Sequence, residues 1–238
     1  MGNNGLFITA TDTDAGKTFV TAHLLRRFRQ RGRDAMAVKP VQTGCEPGAD
    51  GRLCAPDVEA YLKTAEGLLP AGTREAMTML TYRRACSPHM AGALEGAQPD
   101  IESMLARVRS LRYRPLLVEG AGGVMAPLNA SETMLDLMAR LGFPVLLTAE
   151  NRLGAINHVL LSLAALRSRG LEVAGVVFTQ PHPASPDDAD IRVENAAAIP
   201  RFGKTPLLAN IEHDPAPDLL DRRLDAICDH LDKLLGAA

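Results

Sequence analysis

LFITATDTDAGKT, Leu6 to Thr18, is the stretch on which the fold reading turns. Leu6–Thr9 is an apolar run of strand length, and a Gly-bearing loop follows it. Helical periodicity begins near Lys17 and ends near Arg31, where Gly32 suits a C-cap. Strand, loop and helix in this order make the setting of a phosphate loop. Backbone N–H groups of the loop and of the helix start point at phosphate oxygens. Lys17 then places a point charge on the β- and γ-phosphates, and the Thr18 hydroxyl can hold Mg²⁺. The strict pattern G-x-x-x-x-G-K-[ST] is not met, because Thr11 stands where its first Gly belongs. A bare G-K-T triplet also fits an exposed, capped helix start, so the strand before it and the helix after it carry the nucleotide reading. Asp12 and Asp14 put negative charge into a loop meant for anions. Their side chains are expected to turn away from phosphate, toward a lysine or the metal.

Outward from this stretch, short apolar runs alternate with helical patterns. Ala35–Val38 reads as a second strand stopped by Pro40. Asp57–Lys63 reads as a short helix opened by Pro56. Residues 66–86 look irregular, and Pro88–Leu94 and Ile101–Leu111 look helical. Leu116–Val118 is a buried strand with a Gly-rich turn, Glu119 to Gly123, after it. A helix at Met134–Leu141, a strand at Val145–Thr148, a long helix at Ala155–Arg169 and a strand at Val173–Phe178 complete the alternation. PHPASPDDAD, from Pro181, reads as a loop. A final helix, about Asp218–Leu235, carries Leu220, Leu224, Ile227, Leu231 and Leu234 on one stripe, a packing face for core or subunit. The pattern predicts an α/β fold: a mostly parallel sheet with helices on both faces, P-loop NTPase-like, in a single domain over residues 1–238. Ligands in such folds sit beyond the carboxyl ends of the strands. The loops after the strands at 6–9, 35–38 and 116–118 hold the most unusual residues.

Composition narrows the classes of function. The chain has 238 residues and a net charge of -2, with no block of one sign to grip nucleic acid. The 4 cysteines, Cys45, Cys54, Cys86 and Cys228, share no C-x-x-C spacing, and the 6 histidines show no paired ligand spacing. No Ser-His-Asp or Cys-His arrangement suggests covalent catalysis. The N-terminus lacks a basic start and a long apolar run, and no stretch approaches the ~20 apolar residues of a membrane span. A cytoplasmic protein with no nucleic-acid or membrane partner is expected.

Three side chains outside the loop bear on its chemistry. Lys39 ends the second strand beside Pro40, which holds it extended; it could reach the phosphates or be an ordinary solvated lysine. Glu119 ends an apolar strand, where a carboxylate opposite a phosphate loop partners Mg²⁺, though a purely structural turn is the rival. Asp57 could equally be a carboxylate favouring a helix N-terminus.

Taken in series, T-D-T-D-A-G-K-T (Thr11–Thr18), K-P-V-Q-T-G (Lys39–Gly44), S-P-H (Ser87–His89), V-E-G-A-G-G (Val118–Gly123) and L-G-x-I-N-H (Leu153–His158) resemble the dethiobiotin synthetases. Order and spacing match from about residue 6 to 180. The resemblance implies that 7,8-diaminononanoate, CO₂ and ATP give dethiobiotin, ADP and phosphate. An amine takes up CO₂ as a carbamate, ATP phosphorylates it, and the second amine closes the ring. It implies that Lys39 is the catalytic lysine and that Lys17 stabilises the transferring phosphoryl group. Thr18, Asp57 and Glu119 would hold Mg²⁺. Nucleotide contacts would come from Asp14, Ala15, Gly16, Lys17, Thr18, Phe19, Asp57, Glu119, Gly120, Ala121, Gly122, Thr179 and Gln180. Substrate contacts would come from Thr13, Thr43, Gly154 and Asn157. The family works as a homodimer, and the helix start at Gly154–His158 would receive the substrate carboxylate across the subunit interface.

There are departures from the family pattern. Ala10 stands in place of the usual Gly before T-D-T, Val124 in place of an aromatic residue, and Thr179-Gln180 in place of an Asn-Asp pair that reads adenine. The main rival reading is a partitioning or targeting ATPase switch. Such proteins carry a signature Lys four residues before the loop Gly, where this chain has Asp12. A second rival, an amide-forming synthetase of cobalamin-type precursors, would need a glutaminase domain for which this chain has no room.

Overall fold

The computed structural model describes residues 5–49, 51–183 and 185–236. The reading of Met1–Asn4 and one residue of the proline-rich loop, Ala184, lie outside these. The chain runs β1 (Gly5–Ala10), α1 (Lys17–Gln30), β2 (Met36–Gln42), β3 (Glu46–Pro47), β4 (Leu53–Cys54), α2 (Pro56–Thr64), α3 (Arg74–Met77), β5 (Thr78–Thr81), α4 (Pro88–Glu95), α5 (Ile101–Ser110) and β6 (Leu116–Gly123). It continues α6 (Met134–Leu141), β7 (Val145–Glu150), α7 (Ala155–Ser168), β8 (Val173–Thr179), a 3₁₀ turn at Pro186–Asp188, α8 (Ala189–Gly203), β9 (Leu207–Ile211) and α9 (Pro217–Leu234).

Seven strands form one sheet in the order β5-β2-β6-β1-β7-β8-β9, and every neighbouring pair is parallel. β3 and β4 form a separate antiparallel hairpin. Parallel strands with helices on both faces are apolar throughout, and every residue of β1 and β2 is buried. Right-handed crossovers put α1 and α2 on one face, because β1 to β2 to β5 runs one way along the sheet. They put α6, α7 and α8 on the other, because β6 to β7 to β8 to β9 runs the opposite way. The helix contacts agree: α1 touches α2 and α9, while α5 touches α6 and α7 touches α8. The direction reverses at β6 and β1, so their carboxyl ends mark the crevice where a ligand belongs.

Four readings of the sequence are corrected by the structure. Pro40 does not stop β2. The registered pairs to β6 end at Val38 and those to β5 fall at Lys39, Val41 and Gln42, so the missing N–H interrupts no pair. Glu119 to Gly123 is not a turn but the continuation of β6. A Cβ on Gly123 would stand 3.1 Å from the Thr11 carbonyl oxygen, so absence of a side chain lets β6 stay against the phosphate loop. Residues 66–86 contain α3 and the edge strand β5. The loop expected from Pro181 ends early, and α8 and β9 follow it.

α9 packs the stripe Leu220, Leu224, Ile227, Cys228 and Leu231 into the core of its own chain. Its polar flank meets α1 through a row of ion pairs. Arg26 lies 2.5 Å from Asp221, Arg27 2.5 Å from Asp225, Arg31 2.5 Å from Asp229 and Arg33 2.8 Å from Asp232. Among the described residues no helix is long and apolar enough to cross a membrane.

Candidate active site

The phosphate loop lies between the carboxyl end of β1 and α1. Gly16 caps α1 in a left-handed conformation with φ 79°, and among the described residues no side chain caps the helix start. A Cβ at Gly16 would fall 2.5 Å from Thr179 Oγ1, so backbone conformation and close packing both call for Gly. The uncapped helix N–H groups are left to face an anion. Asp12 turns its carboxylate not to a lysine but to the Thr13 N–H at 2.7 Å, while its main-chain carbonyl accepts from Lys17 Nζ at 2.9 Å. Lys17 is buried. That burial, and then the charge of Lys39, bring its pKa down to about 8.

Lys39, Asp57 and Glu119 converge beside this loop, each from a different element. Lys39 is 3% exposed and Glu119 0% exposed, so the solvated-lysine reading falls. Lys39 Nζ lies 2.5 Å from Asp57 Oδ2 and 2.8 Å from Glu119 Oε1. It also donates to the Gly120 carbonyl at 2.9 Å. Thr18 donates to Glu119 Oε1 at 2.9 Å, and Tyr61 donates to Glu119 Oε2 at 2.5 Å. Burial opposes the charge on Lys39, yet Glu119 and then Asp57 hold it above the ordinary lysine value. Burial likewise opposes the Asp57 carboxylate, and the charge and hydrogen bond of Lys39 hold it below its ordinary value. The Tyr61 phenol is pushed well above its usual range by burial and then by Glu119, so it remains a donor.

A cleft of about 930 Å³ opens over these groups, lined among others by Thr13, Lys17, Thr18, Lys39, Thr43 and Asp57. Asp14, Gly16, Phe19, Ala121 and Gly122 line it too. A second cavity of about 620 Å³ shares Gly16, Phe19 and Pro181 and runs to Thr179, Gln180, Glu212 and His213. Phe19 stacks on His23 at its edge, with ring centroids 4.1 Å apart. The pair of cavities suits a phosphate chain in one and an aromatic base in the other. Thr179 is buried behind Gly16, so its side chain braces the loop. Ala15 is also buried and contributes backbone only. Gly154 and Asn157 are exposed at the start of α7 and line neither cavity.

The sequence reading gave no role to Gln42, Ser87, Glu212 and His213, which line the two cavities, or to Tyr61, which donates to Glu119. Gln42 and Ser87 sat inside motifs already singled out. Glu212 and His213 follow β9, and a strand there would have put them beyond a carboxyl end.

A family model described as an AAA domain matches residues 4–218. A curated protein of Anaeromyxobacter dehalogenans, named ATP-dependent dethiobiotin synthetase BioD, is 38% identical over 89% of this chain and 91% of its own length. A protein of the same name from Anoxybacillus flavithermus is 34% identical over 88% of this chain and 94% of its own. This chain belongs to the dethiobiotin synthetase family. Membership makes it an ATP-dependent ligase of biotin biosynthesis. Among solved structures, the cell division ATPase MinD of Pyrococcus furiosus aligns with TM-score 0.60 and 16% identity over 97% of this chain and 99% of that one. A chain of the Aquifex aeolicus MinC:MinD cell division protein complex aligns with TM-score 0.54 and 16% identity over 99% of this chain and 97% of that one. These likenesses bear out the P-loop NTPase fold and nothing further.

Proposed function

We propose that the cleft carboxylates 7,8-diaminononanoate and closes it with ATP to a cyclic urea. The observation that supports this most directly is Lys39. It is a buried ammonium fixed between two carboxylates at the mouth of a phosphate loop, with open cleft on its remaining side. One amine of the substrate adds CO₂ and loses a proton to give a carbamate. A carbamate oxygen then attacks the γ-phosphorus and ADP leaves. The second amine attacks the carbonyl carbon and loses a proton, the bond to phosphate breaks, phosphate departs, and the ring closes. Phosphoryl transfer asks for positioning and charge neutralisation rather than a protein nucleophile.

In this reading the backbone of residues 14–18 cradles the phosphates, Lys17 turns from the Asp12 carbonyl to the γ-phosphate, and Lys39 stabilises charge on the carbamate and the phosphoryl group. Gly120, Ala121 and Gly122 approach the phosphates from β6, while Phe19, Thr179 and Gln180 border the base. Thr13 and Thr43 hold the diamine end. The oxygens of Thr18, Asp57 and Glu119 form a hard donor set gathered around an existing positive charge, which suits Mg²⁺. Among the described residues no group of three or more His, Cys, Asp or Glu could hold a metal ion by itself. That fits an ion shared with substrate phosphates rather than caged by protein. When bound, the ion supplies neutralisation of charge on the β- and γ-phosphates.

We further propose a homodimer. Gly154 and Asn157 sit at an uncapped, exposed helix start with apolar Leu153 and Leu161 exposed around it. Offered to the cleft of a second copy, this end would receive the substrate's far carboxylate. The domain is taken as single over the chain. The direct test supplies diaminononanoate, bicarbonate and MgATP and assays dethiobiotin. Folded protein that yields no product, with nucleotide bound, would overturn the reading.

A further inference from the structure

Helix α2 delivers two side chains to the charge cluster, not one. Asp57 and Tyr61 are four residues apart and so share one face of the helix. Asp57 reaches Lys39 from the cleft side, while Tyr61 is fully buried and reaches Glu119 from behind. The Glu119 carboxylate is thereby divided. Oε1 accepts from Thr18 at 2.9 Å and Lys39 at 2.8 Å, whereas Oε2, among the described residues, accepts from Tyr61 at 2.5 Å. We propose that Tyr61 is a positioning residue, whose phenol fixes the orientation of Glu119 so that a single oxygen serves the metal–nucleotide side of the cluster.

The terminal torsion of a glutamate is broad and roughly two-fold, so position in the strand does not decide which oxygen faces forward. Burial decides instead that each oxygen must find a donor. Behind Glu119 the donor is the Tyr61 hydroxyl; in front, the donors are Thr18 and Lys39. Without the phenol, Oε2 would be buried and unpaired, and rotation toward Lys39 or Thr18 would be its only relief. That rotation takes the front oxygen out of line and draws Lys39 away from the phosphates. The partners that orient a metal-ligating side chain matter nearly as much as the ligand itself. Tyr61 touches neither the cleft nor any group proposed to react, so its action runs through Glu119. The inference rests on the reading of Glu119 as a Mg²⁺ partner.

Tyr61→Phe keeps the ring that packs in the core and removes only the hydroxyl. Calorimetric titration with a non-hydrolysable ATP analogue, in excess Mg²⁺ and separately in EDTA, isolates the metal-dependent gain in affinity. Glu119→Gln is titrated alongside, and thermal melts show that each protein is folded. The expected result is an unchanged affinity in EDTA and about a tenfold loss of affinity in Mg²⁺ for Tyr61→Phe. In turnover assays the half-saturating Mg²⁺ concentration should rise by a similar factor. A Tyr61→Phe protein with the wild-type Mg²⁺ gain, beside a Glu119→Gln protein that has lost it, would overturn the role of Tyr61. Equal losses with and without Mg²⁺ would also overturn it, since packing alone would then explain them. Retention of the full gain by Glu119→Gln would instead bring down the reading of Glu119 and this inference with it.

Discussion

α1 is held at its two ends by charged groups in opposite surroundings. At its start, Lys39, Asp57 and Glu119 meet Thr18, with Glu119 0% and Lys39 3% exposed. Along its later turns and just beyond, Arg26, Arg27, Arg31 and Arg33 face Asp221, Asp225, Asp229 and Asp232 of α9, with side chains 19% to 59% exposed. The N···O distances are nearly the same in both. What differs is the medium. In water each pair contributes on the order of 0–1 kcal/mol, because solvation lost on pairing offsets the attraction. In the cluster Lys39 and Glu119 cannot be released to solvent, so each becomes indispensable to the other. The same geometry therefore serves as an adjustable clasp at one end of the helix and as a fixed electrostatic template at the other.

Lys17→Gln should do the most damage. It removes the cation proposed to meet the γ-phosphate, so turnover should fall by ~10³-fold or more with the fold intact. A folded mutant with near-normal rate would break the assignment of the loop. Lys39→Ala comes next. It should lower kcat by about 10²–10³-fold and raise KM for ATP far less. It also leaves Asp57 and Glu119 facing each other uncompensated, so denaturant melts should show a loss of roughly 3 kcal/mol. Equal falls in affinity and rate would mean that Lys39 merely binds.

A complementation test sharpens the proposal for α7. Asn157→Asp, at an exposed position, should repel the substrate carboxylate without touching the core. Mixed with Lys39→Ala, it should restore one intact site in each heterodimer. A mixture as inactive as its parents, with heterodimers present, would remove α7 from the site.

The ladder should barely respond to single changes. Asp225→Asn should cost no more than ~1 kcal/mol, and 1 M salt should erase most of that difference while leaving the buried cluster's effects in place. Hydrogen bonding to Arg27 holds the Asp225 carboxyl below its ordinary value of 3.8. A depressed carboxylate stabilises the fold above that ordinary value and stops doing so as pH falls through the depressed one. Acid titration of stability should therefore be slightly shallower below pH 3.8 in Asp225→Asn than in the parent. An identical slope in both would mean that the pair contributes nothing.

Most of the candidate site was legible because its titratable groups sit at or just beyond strand ends. Lys17, Thr18, Lys39 and Glu119 could be placed over one crevice once the strands were seen to be parallel. Asp57 could be named only through the family resemblance, since a carboxylate in a first helical turn looks the same whether or not it faces a ligand. Tyr61 left no signal, because an aromatic residue on a helix face reads as core, and its hydroxyl matters only through a partner on β6. β9 was obscured by its shortness and by Asn210 within it; α8 was obscured by the prolines and aspartates before it and by Pro200 inside it. The ladder joins residues 195 to 199 apart and has no local pattern at all.

Separation along the chain also sets the order in which contacts form during synthesis. Thr18 and its partner Glu119 are 101 residues apart, so at 5–20 residues per second the phosphate loop waits about 5–20 s for its carboxylate. The arginines of α1 wait about twice as long for α9. Through that interval the central strand of the sheet has no permanent neighbours, and the nascent chain exposes an apolar ribbon flanked by bare cations. Ribosome-bound intermediates should accordingly need holding by chaperones until β6 has emerged, and α9 should dock only after that.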